Sequence, residues 1–74
     1  MDELAFEDRE IVVLVLAEVL PLLTLRQTQC LALQLGGLTQ AEAGRVLGIS
    51  RVAVTQHFGA ALRKVARVSA VYLH

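Results

Sequence analysis

Arg51, Val52, Thr55 and Gln56 lie within one six-residue stretch, and side chains of these types read base edges in a DNA major groove. An arginine fork pairs with the two acceptors of guanine, a glutamine carboxamide pairs with adenine, and the methyl groups of valine and threonine suit the thymine methyl. At helical spacing these four residues share a face with Gly59, whereas Val54, Phe58, Ala61, Leu62 and Val65 turn the other way, toward a core. Arg63, Lys64 and Arg67 follow roughly two turns later. Their charges suit phosphate oxygens, contacts that position a protein on DNA without specifying sequence. A charge cluster by itself is ordinarily a solvated helix face; here the local architecture around it points to DNA.

A helix must start just before Arg51 to present those residues, and Ser50 is a good N-cap for it. Gly48 stands where a left-handed backbone would end the preceding helix. That preceding helix opens at Thr39, whose hydroxyl can accept from the third helical amide while Glu42 reaches back, the reciprocal pattern of a capping box. Two short helices joined by a turn of about three to four residues make a helix-turn-helix. Ala43, Leu47 and Ile49 add to the shared core, and Gly44 fits where the two helices approach most closely. The candidate DNA-binding set is therefore Thr39, Ser50, Arg51, Val52, Thr55, Gln56, Arg63 and Lys64. Upstream, Thr24 and Gln27 repeat the capping-box spacing for a supporting helix that stops at Gly36 and Gly37, with Leu31 and Leu35 facing the core.

Net charge first argues against a nucleic-acid partner: the formal charge is zero and the sequence pI is about 6.7, whereas a DNA-binding domain is expected to be basic. The distribution removes the conflict. Before Pro21, Asp2, Glu3, Glu7, Asp8, Glu10 and Glu18 face Arg9 alone, a net −5; from Pro21 onward Arg26, Arg45, Arg51, Arg63, Lys64 and Arg67 face Glu42 alone, a net +5. Such asymmetry fits nucleic-acid contact by the basic part. The cations are few, so one chain neutralises few phosphates, and binding by two chains together becomes attractive.

The acidic part also carries an unbroken apolar run, Ile11 to Ala17, which Pro21 limits on its C-terminal side. Read as a helix, Val12, Val15, Leu16, Val19 and Leu20 form one stripe that covers the domain's own core. Phe6, Ile11, Val13, Leu14 and Ala17 fall on other faces and are the candidate dimer interface, because a helix apolar nearly all round is normally buried. The β-branched cluster leaves a strand as the alternative reading. A membrane span is disfavoured, since Glu18 and Pro21 interrupt a segment shorter than the ~20 residues a bilayer needs. Acidic leading residues are wrong for a signal peptide.

The chain has 74 residues, of which 55% are hydrophobic, and a mean hydropathy of +0.59. A domain this small has a marginal core and little room to hide apolar groups, so part of its surface should meet a partner. The pattern predicts one all-α domain over residues 1–74, with four or five helices. An N-terminal helical part spans 1–21 and a helix-turn-helix core spans 23–67. Residues 65–74 read either as an extension of the last helix through Val68, Val71 and Tyr72, whose apolar side chains would then pack back on the N-terminal helix, or as a frayed tail. Nothing suggests catalysis or a cofactor. Cys30, the single cysteine, falls in an apolar helix as a buried inert thiol and fits a reducing cytoplasm. His57 and His74 lack companions at metal-ligand spacing. His57 is read as a rim or phosphate-contact residue of the recognition helix.

From Leu23 to Val65 the sequence resembles the DNA-binding output domain of LuxR-type regulators and, more distantly, region four of bacterial sigma factors. The resemblance rests on Leu23-Thr24 with Arg26-Gln27, Gly37-Leu38-Thr39, Leu47-Gly48-Ile49-Ser50, and Val54 with His57 followed by Arg63-Lys64. It implies that the helix opened by the serine enters the major groove, with Arg51, Thr55, Gln56 and Lys64 at or near DNA. Leu25 stands where proline is frequent, Ala43 and Gly44 where a larger apolar residue and alanine are usual, and Thr55 where LuxR-type domains commonly carry lysine. The expectation is a small homodimeric regulator binding specific double-stranded DNA. The alternative is a sigma-region-four mimic whose acidic N-terminal helix engages RNA polymerase or a sigma factor. A viral small-terminase-like subunit is a third reading, disfavoured by the lack of a long oligomerisation region.

Overall fold

Hydroxyl caps define the starts of the three helices around the candidate site. In the computed structural model, which describes the backbone of residues 6–72 and the side chains of residues 8–72, the elements in order are α1 (Phe6–Val19), a 3-10 turn (Leu20–Leu22), α2 (Leu25–Leu35), α3 (Gln40–Leu47) and α4 (Arg51–Ser69). No strand occurs among the described residues. Thr24 accepts from the Gln27 amide at 3.1 Å while Gln27 Oε1 accepts from the Thr24 amide at 3.1 Å. Thr39 and Glu42 make the same exchange at 3.1 and 2.8 Å. Ser50 caps α4 by accepting from the Ala53 amide at 3.0 Å.

The helix stops are equally local. Gly37 adopts φ +99° after α2, while the Leu38 amide donates to Leu33 and the Gly37 amide to Gln34, both at 3.1 Å. These bonds are the paired closures of a Schellman stop. Gly48 ends α3 at φ 70°, ψ 32°, and the Ile49 amide reaches back to the Gly44 carbonyl at 2.9 Å. The motif turn is thus Gly48, Ile49 and Ser50. α1 stops at Val19, and Pro21 lies in the first turn of the 3-10 segment, where its missing N–H costs least.

α4 is the hub against which α1, α2 and α3 all pack. Cys30, Ala43 and Val54 have no exposed surface and form the centre, with Leu33, Leu47, Ile49 and Phe58 around them. Val15 and Val19 of α1, Leu31 of α2 and Ala61 of α4 are also buried. Burial pushes the Cys30 thiol above its ordinary pKa, partly offset by the Arg26 guanidinium, so the group stays a neutral thiol, as its apolar setting requires.

Several apolar residues sit differently from the sequence expectation. Leu35 and Leu62, expected in the core, are exposed, as are Val12 and Leu20 of the stripe assigned inward. Val71, expected to pack back on α1, is exposed in the turn after α4. Ile11, assigned to the outward set, is instead half-buried. One cause accounts for most of these differences. α1 lies on α4 without closing onto α2, and leaves an apolar groove of about 390 Å³ lined by Ile11, Val12, Val15 and Leu16, by Leu31 and Leu35, and by Leu62, Val65 and Ser69, with Asp8 at its edge. Leu35 and Leu62 therefore face the other helices while remaining open to solvent.

The α3 cap makes stability sensitive to acid. The Thr39 backbone N–H and hydroxyl hold the Glu42 carboxyl below its ordinary pKa. A lowered folded pKa stabilises the fold above the ordinary carboxylate value, and that contribution is lost as pH falls through the folded value. Glu42→Gln keeps an acceptor without the titration. The acid limb of a circular-dichroism titration is therefore expected to flatten in Glu42→Gln; superimposable acid limbs for the two proteins would contradict the assignment.

Candidate nucleic-acid interface

The Ser50 cap fixes where α4 begins, and with it which side chains leave the first turn. Arg51, Val52, Thr55 and Gln56 are all exposed, and Arg63 is exposed farther along the helix. Seven residues separate Gln56 from Arg63, nearly two full turns, so the two share one side of α4. Opposite them Val54, Ala61 and the half-buried Phe58 lock the helix to the core. Val52 is 64% exposed. An apolar side chain so placed between two polar ones suits a thymine methyl.

Gly59 lies on the same side, and a Cβ there would meet only Arg63 Nη1, at 3.6 Å. The arginine thus folds back along the helix over the glycine, toward the recognition turn. Gly59→Ala should raise stability by about 1 kcal/mol through helix propensity, because nothing rigid opposes the new methyl. If this side approaches DNA closely, the same substitution should weaken DNA binding. Thermal melts and anisotropy titrations on one preparation test both, and a variant neither more stable nor weaker on DNA would refute the placement.

Thr39 and Ser50 are exposed at their helix starts, but their hydroxyls are engaged by the capping amides. Lys64 stands apart from the other expected residues. It follows Thr55 by nine residues, about 180° around the helix, and its ammonium donates to the Leu22 carbonyl and to Gln27 Oε1, both at 2.8 Å. Lys64 therefore ties the segment between α1 and α2 to α4. The structure groups Arg51, Val52, Thr55, Gln56 and Arg63, and places Lys64 on another side. His57 is half-buried at the rim.

One side chain outside the expected set joins this surface. Gln40, the first residue of α3, has its Oε1 2.7 Å from Thr55 Oγ1, fifteen residues away in the chain. No local pattern signals such a bond, since capping rules reach only three or four residues.

Of the expected dimer residues, Val13, Leu14 and Ala17 are exposed on α1, with Val13 at 63%. The Phe6 side chain lies outside the described residues. Among the described residues no helix is long and apolar enough to cross a membrane, and no three His, Cys, Asp or Glu side chains are grouped to hold a metal ion.

A capped, glycine-turned pair of helices whose second member leaves an exposed polar face is a helix-turn-helix. Comparison with family models matches residues 1–67 to sigma-70, region 4, and the chain belongs to that family. No curated protein and no solved structure matches it. The match includes α1 as well as the helix-turn-helix. Of the two resemblances seen in the sequence, the one to region four of sigma factors is the one the comparison supports.

Proposed function

We propose that the chain acts as a region 4 module that touches promoter DNA with α4 and is delivered there by a protein of the transcription machinery, RNA polymerase before a sigma factor. One observation carries the reading: the DNA-facing surface is poor in cations. The exposed basic residues beyond Pro21 are Arg45, Arg51, Arg63 and Arg67, while Arg26 is bonded to Gln29 and Lys64 is bonded internally. Each neutralised phosphate contributes a slope of only about 0.9 in log K against log salt, so a few arginines give weak binding alone. A protein tether that raises the local concentration of DNA compensates without any new DNA contact. The groove between α1, α2 and α4 offers the protein-facing surface, apolar within and bordered by the acidic helix.

Titrating the labelled full chain with core RNA polymerase tests the proposal. Saturable binding that falls at least about tenfold in Leu62→Asp, with helical content retained, is expected because a charge would be desolvated in the contact. Absence of binding to core polymerase would refute delivery by the polymerase.

The exposed Val13, Leu14 and Ala17 favour a second reading, the homodimeric regulator. Sedimentation at high protein concentration separates the two: a dimer split by Val13→Asp supports the second, and a wild-type monomer removes it.

A further inference from the structure

We infer that Gln40 is a DNA-backbone contact that also sets the pose of Thr55, coupling the two helices of the motif at the groove. The inference rests on the reading that α4 enters the major groove. Thr55 Oγ1 lies 2.7 Å from Gln40 Oε1 and 3.0 Å from the Arg51 carbonyl. A hydroxyl has one proton, so it can donate to only one of these acceptors at a time. Turning the carboxamide by 180° resolves the competition, because the two ends of a glutamine amide are interchangeable in shape. The Gln40 nitrogen then donates to Thr55 Oγ1, and Thr55 donates to the Arg51 carbonyl.

Both arrangements leave the same two consequences. The Thr55 proton is retained by the protein, so Thr55 offers DNA a methyl group and a lone pair rather than a donor; its partners are a thymine methyl or the amino group of adenine or cytosine. The Gln40 amide keeps at least one N–H that no other described residue accepts. That N–H sits where α3 meets the exposed start of α4. In helix-turn-helix docking the first helix crosses the sugar-phosphate backbone while the second lies in the groove, so the free N–H faces a phosphodiester oxygen. A neutral donor there adds affinity without sequence preference and without releasing a counterion.

Gln40→Ala should therefore weaken every duplex about tenfold, the effect of one hydrogen bond to a charged group. The salt slope should stay unchanged, and preference at the base pair next to Thr55 should broaden. Gln40→Glu separates the two roles. Its carboxylate can only accept, so the Thr55 proton stays on the protein and the base preference is kept, but the Gln40 N–H is replaced by a charge that repels phosphate and so weakens all duplexes further.

The test is anisotropy of the full chain on a duplex recovered by selection, on its single-base variants, and on a series carrying one methylphosphonate at each position in turn. One neutral phosphate should weaken the wild type and leave Gln40→Ala unaffected, with circular dichroism matching throughout. Wild-type binding with equal sensitivity of both proteins at every phosphate, or unchanged affinity in Gln40→Ala, overturns this inference while the DNA reading stands. A wild type that binds no duplex either alone or with core RNA polymerase overturns both. The methylphosphonate series on wild type and Gln40→Glu decides the matter even if Gln40→Ala is unstable.

Discussion

Gly44→Ala should destabilise the domain by about 2 kcal/mol, lowering the melting temperature by roughly 10 °C, although alanine is the better helix former. Two effects oppose each other. Replacing a mid-helix glycine with alanine gains about 1 kcal/mol in propensity. The new Cβ, however, would lie 2.7 Å from the Ile49 carbonyl oxygen, with Ser50 C at 3.5 Å and Arg51 N at 3.6 Å behind it. These are backbone atoms of the motif turn, which cannot swing aside as a side-chain tip would, and overpacking costs of up to about 3 kcal/mol then outweigh the gain. The turn is also held from the other direction, by the Ile49 amide on the Gly44 carbonyl at 2.9 Å, so relief of the clash moves the start of α4 and displaces Arg51. DNA recognition should fall together with stability. Gly59→Ala is the internal control: the same chemical change, opposed only by a flexible arginine tip, is expected to have the opposite sign. A Gly44→Ala protein as stable as wild type would contradict the close packing of the motif.

Arg51→Ala should flatten base preference at one position by about 5- to 150-fold, the range for a bidentate arginine–guanine pair worth roughly 1–3 kcal/mol. Arg51 is exposed in the first turn of α4, where a recognition helix meets base edges. Arg63, nearly two turns beyond Gln56, should behave differently. Its alanine variant is expected to weaken all sequences alike and to reduce the salt slope by about one. Titrations over several salt concentrations on matched and single-base-changed duplexes distinguish the patterns. Equal losses on every duplex for Arg51→Ala would move that residue from base reading to backbone positioning.

The helices themselves were legible in the sequence because their signals are local. Thr24 with Gln27, Thr39 with Glu42, and Ser50 act over three residues, and the stops at Gly37 and Gly48 need only a positive φ. The faces of α1 were not legible. A run that is apolar from Ile11 to Ala17 presents similar chemistry all round, so only packing decides that Val15 and Val19 are buried and Val12 is not. Leu35 and Leu62 were misplaced for a related reason: helical periodicity identifies the face turned toward neighbouring helices, but not whether those helices close over it. The bonds of Lys64 to Leu22 and of Gln40 to Thr55 join residues 42 and 15 positions apart, beyond any spacing rule. The family branch was obscured because the capped helix-turn-helix is common to both families the sequence resembles. The match from residue 1 supplied what that motif alone could not.

Selection of duplexes from a random pool by the full chain, run in parallel with and without core RNA polymerase, tests the central claim most directly. The account predicts a short asymmetric motif that is enriched strongly only when polymerase is present, and that loses one base preference in Arg51→Ala. An inverted repeat with half-sites about 10 base pairs apart, recovered equally well without polymerase, would contradict delivery by a protein partner and establish the dimeric regulator in its place.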